Sequence, residues 1–360
     1  MTPVNGHLEL FDKGYGFLRS IDDNLRASPE DPFVPAQLIK KWRLAEGAFI
    51  HGAGSKGNGK SRNLKLTTIE TVNGLSPEGH LEVLTLQEQV SIDPTSRLRM
   101  SRGPDDLMGR TLDWIVPIGR GQRGLVISPP KTGKTTILKH MASSILMHYP
   151  DTQVFVLLVD ERPEEVTDFK RSLEGARVLH SSADQSLSQH MRIARLAMNI
   201  AIRCAEVGQD AVVFIDSLTR MARAFNADTR SYGRTMSGGL AAGALEIPRR
   251  IFGAARNIEN GGSLTVIASI LVDTGSRMDD IIFQEFTGTG NMDLMLSRKC
   301  AEQRVWPAIN INDSGTRKEH LLMSASEYKD VVEARRWLSQ REEVDAMASL
   351  LEYFDAHREA

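Results

Sequence analysis

Gly124-Leu-Val-Ile-Ser-Pro-Pro-Lys-Thr-Gly-Lys-Thr-Thr136 is the stretch whose reading decides the fold. It opens on an apolar run of strand length, Gly124–Ser128, turns through Pro, Lys and Gly, and enters a helical segment, Thr135–Tyr149. Strand, glycine-bearing turn and helix in that order make a P-loop, with Ser128 where the general pattern has its first Gly. Such a loop turns backbone N–H groups inward around phosphates, and the helix N-terminus behind them favours negative charge. The candidate phosphate-side residues of the loop are Thr132, Gly133, Lys134, Thr135 and Thr136. Gly133 permits close approach, Lys134 reaches the β- and γ-phosphates, and Thr135 ligates Mg²⁺. The competing reading is an ordinary strand-to-helix turn with a surface lysine.

Working outward from this loop, more apolar strands follow at Val154–Asp160, Ala211–Asp216 and Ser263–Leu271. Helical segments at Ser188–Val207 and Asp279–Phe286 alternate with them. Continuous Val/Ile/Leu runs separated by helices predict a mostly parallel sheet covered on both faces. Two strands end in acids. Val212-Val-Phe-Ile-Asp216 delivers a carboxylate to the Mg²⁺ side of the phosphates, the Walker-B role. Val156-Leu-Leu-Val-Asp160-Glu161-Arg162 delivers a second acid, and ligands of open α/β sheets sit beyond the strands' carboxyl ends. Glu161 is the better candidate to orient and activate a water, with Arg162 beside it on the nucleotide side. The alternative is that either acid caps the helix that follows.

The segment before residue 74 reads differently. Short alternating runs at Leu8–Phe11, Tyr15–Arg19, Ala48–His51 and Leu64–Val72, broken by Gly and Pro, predict a small barrel. Pro35 to Trp42 reads as one short helix. A stretch rich in Pro, Gly and charge then intervenes. The expected division is 1–74 as the barrel, 75–121 as a connecting region and 122–360 as the α/β domain, with a charged helical tail from Ser326 to Arg358.

Within the barrel, Lys13-Gly-Tyr-Gly-Phe-Leu-Arg19 resembles the RNP-type strand of cold-shock domains. Side chains alternate across a strand, so Tyr15, Phe17 and Arg19 share one face and Gly16 and Leu18 the other. Two aromatics and an arginine make a stacking platform for single-stranded RNA with a charge for phosphate, each stacked base contributing ~1–3 kcal/mol. The glycine between the aromatics is expected to let a base approach. The alternative places Tyr15 and Phe17 in the core.

Composition narrows the classes. The chain has 360 residues, 41% of them hydrophobic, 25% charged, and a net charge of −2. That balance is ordinary for a globular protein and leaves a nucleic-acid partner open, because basic residues need only cluster where a strand lies. The two cysteines, Cys204 and Cys300, lie far apart in no metal-ligand spacing, and the N-terminus carries no secretory pattern, so a cytoplasmic location is expected. The longest apolar runs fall far short of the ~20 residues that span a bilayer, so no membrane partner is expected.

Several longer runs resemble the bacterial transcription termination factor Rho family. They include Gly119-Arg-Gly-Gln-Arg-Gly124, Val159-Asp-Glu-Arg-Pro-Glu-Glu-Val-Thr167, Asp216-Ser-Leu-Thr-Arg220, Gly253-Ala-Ala-Arg-Asn257 and Asp273-Thr-Gly-Ser-Arg-Met-Asp279. Phe286-Thr-Gly-Thr-Gly-Asn-Met292, Leu296-Ser-Arg-Lys299 and Ser314-Gly-Thr-Arg-Lys318 extend the likeness, which covers Leu8 to Ala346. The resemblance implies a small all-β OB/cold-shock-like barrel followed by an α/β RecA-like P-loop NTPase domain. It implies a homohexameric ring with ATP between neighbouring subunits, RNA-dependent ATP hydrolysis, 5′-to-3′ movement along RNA, and release of nascent RNA from the RNA polymerase elongation complex.

Residue by residue, the resemblance gives Arg317 the arginine-finger role toward the next subunit. It makes Arg220 a second arginine near the phosphates, Lys131 a phosphate-side lysine and Trp306 the aromatic under adenine. Asp31-Pro-Phe33 resembles the segment that helps build a pyrimidine pocket. Two loops resemble RNA-gripping pore loops: Arg230 to Gly243, with Gly233, Arg234, Ser237, Gly238 and Gly239, and Thr274-Gly275-Ser-Arg277. The sequence departs where the last barrel strand of Rho begins with an acid and an aromatic; here it reads Ser61-Arg62-Asn63-Leu64, which puts base preference in question. The chain also begins at the barrel, where Rho usually carries a helical subdomain first. Two other classes stay open: a rotary-ATPase-type subunit, and a specialised or weakly loading Rho-like ring that holds RNA with reduced termination activity.

Overall fold

The computed structural model describes residues 1–56, 63–229, 239–241 and 243–357. The first unit comprises β1 (Thr2–Leu10), β2 (Gly16–Arg19), β3 (Phe33–Val34), α1 (Ala36–Lys41), β4 (Phe49–Lys56) and β5 (Leu64–Val72). Its five strands close into a barrel in the order β1-β2-β3-β5-β4, antiparallel except where β3 meets β5. Closure removes the exposed sheet edges that would otherwise pair with other chains. Alternation sends Val4, Leu8, Leu18, Val34, Ile50, Leu66 and Val72 into the barrel core.

Next come α2 (Pro77–Leu81), β6 (Ser91–Ile92), β7 (Arg97–Leu98), α3 (Leu107–Ile115), β8 (Ile118–Gly119) and β9 (Arg123–Ser128). These are followed by α4 (Lys134–His148), β10 (Gln153–Glu161), α5 (Pro163–Ser172), β11 (Arg177–Ser182), α6 (Leu187–Glu206), β12 (Asp210–Asp216) and α7 (Leu218–Thr229). The chain continues through α8 (Glu246–Gly253), β13 (Arg256–Ile258), β14 (Ser263–Leu271), α9 (Arg277–Phe286), β15 (Met292–Met295), α10 (Arg298–Glu302) and β16 (Gly315–Thr316). Two helices, α11 (Ala325–Leu338) and α12 (Glu343–Ala356), form the tail.

The main path of the large sheet runs β11-β10-β12-β14-β9-β15-β16, parallel except at the edge strand β16, and β13 and β6 join antiparallel beside β14. Successive residues of each central strand enter opposite cores. Leu125 and Ile127 pack toward α6 and α7, while Val126 packs toward α3, α4 and α12. That is why these strands read as unbroken apolar runs rather than alternating ones.

The stretch expected to be a connector is in large part built into the second domain. Leu98, Met100, Leu112, Ile115, Val116 and Ile118 are fully buried in the same core as α4 and α12. Helix α3 carries its own N-cap, the Asp106 carboxylate accepting from Gly109 N–H at 3.0 Å. Pro, Gly and charge here mark turns between short core elements, not a linker.

The barrel is seated on the α/β domain. Leu25, from the loop after β2, is buried among the residues of α6 and the sheet. Asn24 and His180 exchange two hydrogen bonds of 2.9 Å each. Gly47 abuts the α6 backbone so closely that a Cβ there would lie 2.5 Å from the Asn199 carbonyl carbon.

Candidate nucleotide and RNA sites

The loop after β9 turns through Lys131 (φ 65°) and Gly133 (φ 85°), which lies just before α4. A β-carbon at Gly133 would be strained by that dihedral and would come within 3.0 Å of Trp306. Thr132 is buried and braces the turn, donating to the Pro129 carbonyl at 2.8 Å and sharing a 2.9 Å hydrogen bond with the Ser128 hydroxyl. Ser128, the departure from the general pattern, thus has a structural use. Lys131 and Thr136 are exposed, and Gly133, Lys134 and Thr135 are half-buried at the mouth of the loop.

Lys134 ion-pairs with Asp216 at the end of β12. Asp216 is 1% exposed; its Oδ1 also accepts from the Ser269 hydroxyl of β14 at 2.8 Å, and its Oδ2 has no partner. Glu161 lies beside this pair, buried, with Arg220 Nε 3.1 Å from its Oε1 and its Oε2 unpartnered. Burial first, and the Asp216 charge second, push its carboxyl up to about 7 against the pull of Lys134 and Arg220.

Glu161 reaches this position through a β-bulge. Asp160 takes a left-handed conformation (φ 57°), and the β10–β11 register shifts between Val159 and Glu161. Leu158 and Phe214 face the core shared with α4, so plain alternation would have sent Asp160 there and Glu161 away. The bulge moves Glu161 onto the P-loop face. Arg220 holds the bulge by donating to the Asp160 carbonyl at 2.7 Å. Arg162 follows, exposed, at the N-cap of α5. Trp306 is 41% exposed and lies against Gly133, so it is not a core tryptophan.

Arg317 does not join this group. It is exposed, directly after β16, and its N–H donates to the Asn291 carbonyl at 2.9 Å. Asn291 in turn is hydrogen-bonded to the Arg123 backbone, at the start of β9. The P-loop leaves the other end of β9, at Ser128. Among the residues expected around the phosphates, Arg317 alone lies at the opposite end of the sheet.

On the barrel, Tyr15, Phe17 and Phe33 form a half-buried aromatic cluster with centroids 5.5–5.9 Å apart. Phe11, 38% exposed and stacked on Tyr15 at 5.4 Å, belongs to it and was missed in the sequence. Its signal was its place at the end of β1, opposite Tyr15 across a tight hairpin. Two expectations are corrected. Arg19 is 4% exposed and offers no free charge: it ion-pairs Glu9 at 2.6 Å, ion-pairs Asp31, and lies over the Phe17 ring at 5.0 Å. A buried cation needs counter-charges, and Glu9 supplies one from the neighbouring strand β1, a pairing that the run around Tyr15 does not show by itself. Gly16 faces inward, where a Cβ would lie 2.6 Å from both the Glu9 carbonyl oxygen and Leu8; its smallness serves barrel packing, not base approach.

Asp31 also accepts from Ser28 N–H at 2.7 Å. Asn63, at the departure from the Rho pattern, donates to the Asp31 carbonyl at 2.8 Å, so this position braces the pocket segment. Ser61 and Arg62 lie outside the described residues, as do Gly233, Arg234, Ser237 and Gly238 of the first loop. That loop's return is anchored by Asn226, which donates to the Gly239 carbonyl at 3.1 Å and accepts from Ala241 N–H. The second loop presents Gly275 (φ 73°) and exposed Arg277. It is stapled from behind: Thr274 donates to buried Asp279 at 2.6 Å, and Arg223 ion-pairs the same carboxylate. Arg223 was not singled out in the sequence, since nothing local marks it.

Among the described residues, no helix is long and apolar enough to cross a membrane.

Comparison with known proteins agrees with this geometry. Residues 4–78 match the Rho termination factor RNA-binding domain, and residues 109–316 match the nucleotide-binding domain of the ATP synthase alpha/beta family. Over 350 residues the chain is 46% identical to transcription termination factor Rho of Haemophilus influenzae and 44% identical to that of Escherichia coli K12. Each alignment covers 96% of this chain and 83% of the relative. A type III secretion system ATPase of pathogenic bacteria superposes with a TM-score of 0.60 at 21% identity, covering 69% of this chain and 70% of that one. That likeness speaks for the fold alone. With its OB-type barrel, its P-loop ATPase domain and near full-length identity to Rho proteins, the chain belongs to the transcription termination factor Rho family.

Proposed function

We propose that the protein is an RNA-dependent ATPase that terminates transcription as a homohexameric ring in the cytoplasm. RNA is captured on the aromatic face of the barrel and gripped by the central loops. ATP hydrolysis between subunits moves the ring 5′ to 3′ and releases the transcript from the RNA polymerase elongation complex.

The observation that carries the ring is the place of Arg317. An exposed arginine at the end of the sheet opposite its own P-loop serves hydrolysis only by reaching a neighbour's nucleotide. There it would stabilise charge developing on the γ-phosphate, an effect of ~10³–10⁵ in rate. Lys134 would shift from Asp216 to the β- and γ-phosphates once nucleotide binds. That frees Asp216, whose unpartnered Oδ2 together with the Thr135 hydroxyl suits Mg²⁺. The ion would neutralise phosphate charge during transfer. Glu161, with its own unpartnered Oε2, would hold and orient the attacking water, while Arg220 keeps its carboxyl fixed. Trp306 would stack on the base.

A Lys134→Ala chain should lose RNA-stimulated ATP turnover; full turnover in that variant overturns the site. Oligo-C, oligo-U and no RNA should give different ATPase rates, and equal rates in all three would remove the coupling to RNA. The second reading, a ring that holds RNA without hydrolysing ATP, is disfavoured by the intact group of Lys134, Thr135, Glu161, Asp216 and Arg317.

A further inference from the structure

One element of the barrel's proposed RNA pocket comes from the other domain. Glu9 is buried at 3% exposure between two guanidinium groups. Arg19 donates to its Oε2 at 2.6 Å, and Arg192 of α6 ion-pairs its Oε1 and donates to Oε2 at 2.8 Å. Arg192 also donates to the carbonyl of Leu25, the residue that plugs the barrel into the α/β core, at 2.7 Å. On its far side Arg19 pairs with Asp31, next to the aromatic cluster. The four side chains form one continuous charge-assisted chain, Asp31–Arg19–Glu9–Arg192, with two negative and two positive members.

We propose that Arg192 is a positioning residue for the RNA pocket: through Glu9 it fixes Arg19 under the Phe17 ring and against Asp31, and so sets the shape of the aromatic face. The proposal rests on the reading of the barrel as an RNA site. Three observations support it. The chain is shielded from water, where each remaining partner compensates the others and one cannot be removed in isolation. Arg192 is the stronger of the two holds on Glu9: burial alone would raise that carboxyl, and Arg192 first, then Arg19, bring it below its usual range. Arg19 is held on every side, since its other contacts are Asp31 and the faces of Phe17 and Phe11.

The consequence is directional. Without Arg192, Glu9 keeps one counter-charge, and Arg19 must serve it fully. The pairing of Arg19 with Asp31 then loosens and the pocket loses its preset shape. Because binding free energies are reciprocal, RNA that reorganises Arg19 and Asp31 also changes the hold on α6.

The test uses the full chain and a short cytidine oligomer, with binding followed by fluorescence anisotropy without nucleotide. Arg192→Met should weaken binding about tenfold, the scale of one charge-assisted hydrogen bond. It should raise the RNA concentration for half-maximal ATPase stimulation by the same factor, with turnover at saturating RNA within twofold. Adding Glu9→Gln removes the carboxylate that draws Arg19 away from Asp31, so the double variant should recover most of the affinity. A residue that merely docks the domains would show no such rescue. Wild-type binding by Arg192→Met, or a double variant no better than the single, overturns the proposal. If Arg192→Met does not fold, Arg192→Lys keeps the charge without the two-pronged geometry and should show an intermediate loss; wild-type affinity there overturns it equally. Phe17→Ala separates the two readings: if it leaves binding unchanged the barrel site itself fails, whereas a loss there with none at Arg192 refutes only the present inference.

Discussion

Arg317→Ala should abolish ATP turnover in a homogeneous assembly and regain it when mixed with a different dead chain. Arg317 is level with Arg123 through their shared contacts with Asn291, five residues before the P-loop begins at Ser128. At ~3.3 Å per residue along a parallel strand the gap is roughly 16 Å, more than one arginine side chain spans. Its own P-loop is out of reach, so under the proposed mechanism it would act on a neighbour's nucleotide. Loss of the finger should cost ~10³–10⁵ in rate, about 4–7 kcal/mol of barrier. Lys134→Ala removes the other half of the site. In rings assembled from equal amounts of the two variants, half of the P-loops are intact and half of the neighbouring arginines are intact. One half times one half leaves about a quarter of the interfaces complete. The assay is the first-turnover burst with radiolabelled ATP in excess over interfaces, so that its amplitude counts complete interfaces. The mixture should show about a quarter of the wild-type amplitude, and each variant alone none. An Arg317→Ala chain within threefold of wild type, or a mixture no better than its components, would refute the geometric reasoning.

Other outcomes follow from the same structure. The Glu161 carboxyl, held up near pH 7, must ionise to orient water, so turnover should climb as pH rises through about 7, and Glu161→Gln should remove that limb. Its folded value exceeds the ~4.5 of an exposed glutamate, so the burden on stability is absent below pH 4.5 and complete above pH 7. Glu161→Gln should therefore raise the melting temperature at pH 8 and leave it unchanged at pH 4; equal melting at both pH values contradicts the burial argument. Phe17→Ala should lose one stacked base, ~1–3 kcal/mol, measured as a roughly 5- to 150-fold weaker Kd for a cytidine oligomer. Trp306→Ala should raise the KM for ATP with little change in kcat, since base stacking is the same in ground and transition states; an equal fall in kcat argues against the adenine platform. Leu25→Ala, emptying a fully buried position at the seam, should destabilise the chain by about 2–5 kcal/mol in chemical denaturation.

Periodicity and punctuation made much of the molecule legible. Four of the five barrel strands, the four apolar strands of the sheet and the tail helices overlap the segments expected for them, because a buried face leaves a period and a strand buried on both faces leaves an unbroken apolar run; β3 (Phe33–Val34) is too short to show either. The reading failed where elements were too short to show one. Leu98 to Ile118 looks like linker because turns interrupt it every few residues, yet its apolar side chains complete a core assembled from distant helices. Arg19 looked like a free charge because its partner, Glu9, lies across a strand pair and its partner's partner, Arg192, lies 173 positions further on.

By itself the sequence determined the classes of chemistry: a phosphate loop, two acids at strand ends, an aromatic strand and an arginine in a Gly-Thr turn. These are local, set by a few neighbouring residues whose backbone and side-chain preferences do not depend on the rest of the chain. Only the tertiary structure decided which acid faces the loop, because a single left-handed residue at Asp160 reverses the alternation. It also decided that Arg317 lies away from its own phosphates and that the barrel's buried charges close on α6. Each of these depends on strand register and domain docking, and both are fixed by burial and pairing between segments far apart in the chain.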